Sequence, residues 1–223
     1  MSGRDGRAMT TGAPTTGGAT TGGATTTGGP KQDRSRLTRH RLLETTIRLL
    51  ASEGWEATTV GRVAEETTIS RGAVQHHFPT RADLVVAALE HMFEVRVAGV
   101  DALPDPGGSG RERVRAVVAQ LVELVGGDLF TAALQVWTAS AGDPQLRAQL
   151  IPLERRFGGE AHARAVRLLG VDDRDARVRT LIQATLDLAR GLALAGVLTD
   201  DRRRRSRIVR AWADHVTDAL ALA

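Results

Sequence analysis

From Thr38 onward, apolar residues recur along the chain at three- and four-residue spacing, with no alternating stretch bounded by turn residues to compete as a strand. Leu42, Leu43, Ile47, Leu49 and Leu50 form one stripe, with Arg39, Arg41, Glu44 and Arg48 on other faces, predicting a helix from Thr38 to Glu53. Gly54 follows as the stop, where glycine enters positive φ without steric cost, and Trp55 packs back as core. Thr58 or Thr59 caps a short helix to Glu66, Ser70 caps another over Arg71–His77, and Pro79 ends it. Thr80-Arg81-Ala82-Asp83 resembles a capping box, with Asp in place of Glu, for a long helix to about Val100. Beyond a Pro- and Gly-rich loop at 101–110, five more helices are predicted over about 111–125, 129–141, 144–169, 173–198 and 202–222. The expected fold class is all-α.

The region from Thr58 to Leu84 has the layout of a helix-turn-helix, two short helices around a tight turn and then a sharp stop. With Ala64 at the close approach of the two helices, Val63, Ile69 and Val74 fall on buried positions. Ser70, Arg71, Gln75 and His76 are left facing outward. Such a polar face suits groove edges, where Arg pairs with guanine and Gln with adenine. Three packed helices without a nucleic-acid role would share the apolar pattern but have no need of that polar face. His76 and His77 are neighbours in sequence and point about a third of a turn apart, so no metal is expected there.

Composition narrows the picture further. The 223 residues carry a formal charge of +4, a modest bias that does not by itself indicate a nucleic acid. Lys31 is the only lysine, and zero cysteines exclude disulfides, thiolate metal sites and cysteine nucleophiles. No uninterrupted apolar run has the roughly 18 residues of a membrane span. The N-terminus lacks an apolar signal core, so a cytoplasmic location is expected. Residues 1–35 form a Thr/Gly-rich tail, expected to be disordered for want of apolar mass. Its Arg4, Arg7, Lys31 and Arg34, with Arg36, offer a basic arm that would trail along DNA. There is no phosphate loop, no Gly-x-Ser-x-Gly elbow, no His-Glu-x-x-His and no acid pair on a shared face, so no enzymatic activity and no cofactor are expected.

Thr38-Arg39, Gly54-Trp55, Thr58-Thr59-Val60, Val63-Ala64, Ile69-Ser70-Arg71-Gly72-Ala73, His77-Phe78 and Asp83-Leu84 together resemble the N-terminal signature of the TetR family of transcriptional regulators. The resemblance covers about Thr38 to Leu89 and implies roles residue by residue. Thr59 would offer its amide and hydroxyl to phosphate. Ser70, Arg71, Gly72, Ala73, Gln75 and His76 would lie along or in the major groove of a double-stranded operator. Arg81 would hold phosphate. Two departures stand out. The family's usual Ala-Gly turn is Thr67-Thr68 here, so either the turn differs or packing compensates the strain of a β-branched residue at positive φ. Gln75 stands where a tyrosine commonly reaches phosphate.

The implied domain plan is a tail over 1–35, a DNA-binding domain over 36–84 and a helical effector-binding and dimerisation domain over 85–223. Met92, Phe93, Leu121, Phe130, Leu134, Trp137 and Phe157 are candidates to line a pocket for an unidentified small apolar effector, with Gln135, Thr138 and Ser140 as polar anchors. The same apolar residues would serve equally as ordinary core. The last two helices carry wide stripes, among them Leu181, Leu186, Leu192, Trp212 and Val216, which suit either a homodimer interface or burial within one chain. The expected function is a ligand-responsive homodimeric repressor. The alternative is a helical ligand-binding or scaffold protein that does not bind DNA.

Overall fold

A computed structural model describes residues 30–102 and 105–222 of the protein. The described residues form α1 (Pro30–Ala57), α2 (Val60–Thr67), α3 (Arg71–His77), α4 (Arg81–Ala102), α5 (Gly110–Leu124), α6 (Asp128–Ser140), α7 (Pro144–Leu169), α8 (Ala176–Leu198) and α9 (Arg202–Ala219), and contain no strand. The all-α expectation is met.

The first helix starts at Pro30 rather than Thr38, so residues 30–35 are helical and not disordered, while residues 1–29 of the expected tail lie outside the described residues. Proline is well placed at a helix start, and Asp33 in the first turn opposes the helix dipole favourably. An apolar stripe is not needed to begin a helix whose later turns are anchored. Gly54 breaks α1 at φ 82 and ψ −179, a backbone conformation open to glycine alone. The chain then turns through Trp55, whose amide donates to Gln135 Oε1 of α6 at 3.3 Å.

The turn between α2 and α3 keeps the geometry of its type despite its threonines. Thr68 sits in the left-handed region at φ 56 and ψ 30, strain on the order of 1–3 kcal/mol for a β-branched residue. Packing compensates: Thr67 is buried with its hydroxyl donating to the Val63 carbonyl at 2.6 Å, and the Ile69 amide donates to the Ala64 carbonyl at 3.0 Å.

The N-terminal core joins Leu42, Leu43 and Leu49 of α1 to Val63, Val74, Phe78 and Leu84. A neighbouring cluster joins Leu50 to Leu89, Met92, Ala132, Val136 and Leu146, so α1 and α4 each contribute to both. The C-terminal bundle buries Val114, Val117 and Leu121 of α5 against Leu168 of α7, Ile182 and Leu186 of α8, and Val216 of α9.

By length and composition α8 is apolar enough to cross a membrane, with a mean hydropathy of 1.4 over its best window. Counting uninterrupted apolar residues misses this because Asp187 and Arg190 break the run. Within the fold the helix serves as core, burying Val178, Leu181, Ile182, Leu186, Ala189 and Leu192.

Candidate nucleic-acid interface and ligand cavity

The seven residues of α3 bury one side chain, Val74, which pins the helix to the N-terminal core. Arg71, Gly72, Ala73, Gln75 and His76 are all exposed, while His77 is half-buried beside Phe78. The Ser70 hydroxyl caps the helix by accepting from the Ala73 amide at 3.3 Å. A Cβ added at Gly72 would meet nothing within 4 Å, so no internal contact requires glycine there. Thr59 caps α2, its hydroxyl accepting from the Arg62 amide at 3.1 Å, with the side chain exposed at the N-terminal end of the helix.

Ion pairs fix α2 against α1. Arg62 donates to Glu53 at 2.8 Å and to Glu66 at 2.9 Å, and Arg48 donates to Glu66 at 2.8 Å. Arg62 holds the Glu53 carboxyl below its ordinary range, while Arg48 and then Arg62 do the same for Glu66. On the other side Thr80 and Asp83 close the capping box, the Thr80 amide donating to Asp83 Oδ2 at 3.0 Å and the Asp83 amide to Thr80 Oγ1 at 3.1 Å.

Arg81 is a correction. Its guanidinium stacks 4.0 Å from the Trp55 ring centroid and donates to the Trp55 carbonyl, so it staples α4 to the end of α1 instead of standing free for phosphate. Desolvation lowers its pKa. Arg39, exposed with its guanidinium 5.4 Å from the Phe78 ring, is a basic group near α3 that helical periodicity marked only as an outer face.

A cavity closes between α4, α6 and α7. Met92, Phe93, Phe130, Trp137 and Phe157 line it, five of the seven ligand candidates, with Arg96, Glu154 and Arg190 as its charged groups. Phe93 and Phe157 lie 5.0 Å apart, tilted, and Phe130 meets Trp137 edge-on at 5.8 Å. The free space at the centre is about 20 Å³, close to that of one water molecule, so anything larger must spread the rings. Leu134 does not line the cavity; it packs toward Val122 and Leu192. Leu121 is core under α8 and α9.

The expected polar anchors are also corrected. Thr138 and Ser140 donate to carbonyls of their own helix, Leu134 at 2.9 Å and Trp137 at 2.8 Å, and Gln135 accepts from Trp55. The polar atom offered to the cavity is the Glu154 carboxylate, which accepts from Trp137 Nε1 at 2.8 Å. Burial raises its pKa, although the Trp137 bond and Arg190 pull the other way. Arg96 is taken up by the Leu124 and Gly126 carbonyls, while Arg190 pairs with Asp187 at 2.9 Å and lies 3.9 Å from the Glu154 carboxylate. The spacing Leu150–Glu154–Phe157–Ala161 put a carboxylate on the buried stripe of α7, a signal legible in the sequence.

Four of the five expected dimer residues are buried within the chain: Leu181 is 9% exposed, Leu186 2%, Leu192 6% and Val216 2%. Trp212 is half-buried and donates to the Thr185 hydroxyl at 2.9 Å. The widest apolar stripe of each helix faces its own core because a single chain has to be covered first. What α8 leaves outside is Leu194, Val197 and Leu198, exposed by 51%, 48% and 87%. Ala184 and Ala195 are half-buried on that helix, and Ile208 and exposed Ala211 lie on α9.

A capped helix turned outward on a compact three-helix platform defines a helix-turn-helix DNA-binding protein. Residues 42–88 match the family model for bacterial regulatory proteins of the tetR family. The chain is 26% identical over 195 residues to the HTH-type transcriptional regulator BetI of Burkholderia mallei (strain NCTC 10229), covering 86% of this chain and 98% of that protein. It is 28% identical over 176 residues to BetI of Burkholderia cenocepacia (strain HI2424), covering 76% and 87%. Among solved structures it resembles a candidate transcriptional regulator from Saccharomonospora viridis in complex with choline, at 25% identity and TM-score 0.59, over 82% of this chain and 96% of that one. A TetR transcription regulator from Haloarcula marismortui shares the fold at TM-score 0.63 and 20% identity, over 83% and 98%. The match to the tetR-family model lies on the helix-turn-helix region, and over most of its length the chain is similar to DNA-binding transcriptional regulators.

Proposed function

We propose that the chain is a homodimeric repressor in which residues 36–84 read an operator and residues 85–223 bind an effector and a second copy, acting on DNA in the cytoplasm. Each α3 enters a major groove, with Arg71 and Gln75 at base edges, Ala73 against a thymine methyl and Gly72 allowing close approach. Ser70, Thr59 and His76 touch the backbone or groove rim. The observation behind this reading is α3 itself, whose outward side chains are exposed while one residue anchors it.

The effector is a small organic cation with an apolar surface, of the quaternary ammonium kind. Four aromatic rings around a half-buried carboxylate suit such a group, because ring faces attract cations and Glu154 supplies the opposing charge. Arg96 is engaged by carbonyls, and Arg190 pairs closely with Asp187 at 2.9 Å and only at 3.9 Å with Glu154, an ion pair that an entering cation would have to compete with. The choline held by the Saccharomonospora viridis relative supports the same class. Spreading the rings moves Met92 and Phe93 on α4 and Trp137 on α6. Those helices abut α1, so the spacing of the two readers changes. The second copy packs on the outer face of α8 and α9, around Ala184, Leu194, Leu198 and Ala211, with Trp212 at its margin.

Footprinting on DNA flanking the protein's own gene, with and without choline and tetramethylammonium, tests the reading. A protected near-palindrome that reopens with the cations is expected. Failure to protect any duplex would remove the reader, and protection indifferent to both cations would remove the assigned effector class.

A further inference from the structure

The N-terminal part of α1 and the middle of α4 bring together three side chains that the DNA-reading and effector functions leave unused. His40 and Glu44 are one turn apart on α1, so both project from the same face, with His40 Nδ1 3.5 Å from Glu44 Oε2. His91 comes from α4, its ring 4.8 Å from that of His40 and edge-on to it. One ligand atom from each residue lies within 4.8 Å of the other two. An i,i+4 His–Glu pair alone is an ordinary helix-surface contact. A second imidazole, delivered by a different helix more than forty positions along the chain, is not explained by it.

The geometry points to a divalent transition-metal site of two imidazoles and one carboxylate, bridging α1 and α4. Two nitrogens and one oxygen favour zinc, nickel or cobalt over magnesium or calcium, which take all-oxygen sets. In a tetrahedral site with bonds of about 2.0–2.1 Å, ligand atoms stand roughly 3.3 Å apart. The His40–Glu44 pair is almost there, and rotation of the His91 ring supplies the rest. Three protein ligands leave the remaining positions to water. The site opens on a groove of about 500 Å³ between the two helices, which Glu44 and His91 also line.

Its position gives it a consequence. His40 precedes Leu42 and Leu43, which seat α1 in the N-terminal core, and His91 precedes the cavity residue Met92. A bound ion therefore ties the platform of the DNA reader to the helix that must shift when the cavity opens, holding the two in one register.

The test is titration of the tag-free, full-length protein with zinc and with cobalt, followed by calorimetry and by the visible absorption of bound cobalt. One equivalent per chain is expected. His91→Gln and His40→Gln should each weaken binding roughly 100-fold or more, since loss of a direct ligand exceeds the 10–100-fold of a supporting contact. The double variant His76→Gln/His77→Gln should bind as the parent does. All three variants carry surface or half-buried changes, and matching metal-free melting curves confirm that they fold. Binding that survives His91→Gln, or that disappears with His76→Gln/His77→Gln, overturns the site, as does binding no tighter than millimolar. None of these readouts depends on the operator or the effector.

Discussion

The two halves of the molecule use polar residues in opposite ways. In the N-terminal half, α3 buries one residue and turns Arg71, Gln75 and His76 outward, while the ion pairs of Arg62 and Arg48 serve only to seat its platform. In the C-terminal half, hydroxyls and amides on α6 are satisfied internally, and the charged group set among the aromatic rings, Glu154, is half-buried. A site that meets a large charged partner is written on the surface. A site that meets a small partner is written as an imperfection in the core.

Arg71→Ala should give the largest effect if that contrast holds. A base-contacting arginine contributes about 1–3 kcal/mol per half-site, and both subunits lose it, so operator affinity in an anisotropy titration should fall by roughly 100-fold or more with helicity and dimer unchanged. Parent-like affinity would mean that α3 is not the reader. Leu186→Ala, in the buried stripe of α8, should cost about 2–5 kcal/mol in denaturant unfolding, whereas Leu194→Asp on the outer face should leave a folded protein that sediments as a monomer. If Leu194→Asp instead unfolds the chain, or leaves it folded and dimeric, the outer face has been misassigned.

Glu154→Gln sharpens the comparison in the second half. A carboxyl whose folded pKa is raised favours the folded state at low pH and loses that contribution as pH rises through its unfolded value toward the folded one. Removing the charge should therefore raise the melting temperature at neutral pH while abolishing the response to choline. A lower melting temperature would show that the carboxylate is needed structurally. Thr68→Gly should relieve the positive-φ strain, less the entropy of the added glycine, for a net gain of about 1 kcal/mol and a melting point roughly 2–4 °C higher. The smallest effect concerns Glu53 and Glu66. Their lowered folded pKa values mean that their contribution is present above the unfolded range near 4.3 and fades as pH falls through the folded values. A double Gln variant should flatten the acid limb of the stability profile.

The contrast also explains which parts of the chain could be read in advance. Caps, stops and exposed polar residues are local, so Ser70, Thr59, Gly54 and the span Arg71–His77 were legible from neighbours in sequence. Residue type alone located the cavity aromatics, because few other large rings exist to fill a bundle. Partnerships between distant helices were not legible. Nothing near Arg81 announces that Trp55 lies under it, nothing near Gln135 announces the Trp55 amide, and periodicity does not separate a stripe facing its own chain from one facing a copy. The early start of α1 escaped for a different reason: residues 30–37 hold almost no apolar signal and depend on the turns that follow.

The tightness of the ring cluster around Phe93, Phe130, Trp137 and Phe157 has one more consequence. Because the closed form has room for hardly more than a single water, the concentration at which a cell would register an effector of the proposed class would be governed by how often the helices gape spontaneously, as well as by the contacts made once inside. Observed affinity is the intrinsic affinity multiplied by that open fraction. Trimming a ring should thus tune the threshold of the genetic response without redesigning the chemistry of recognition.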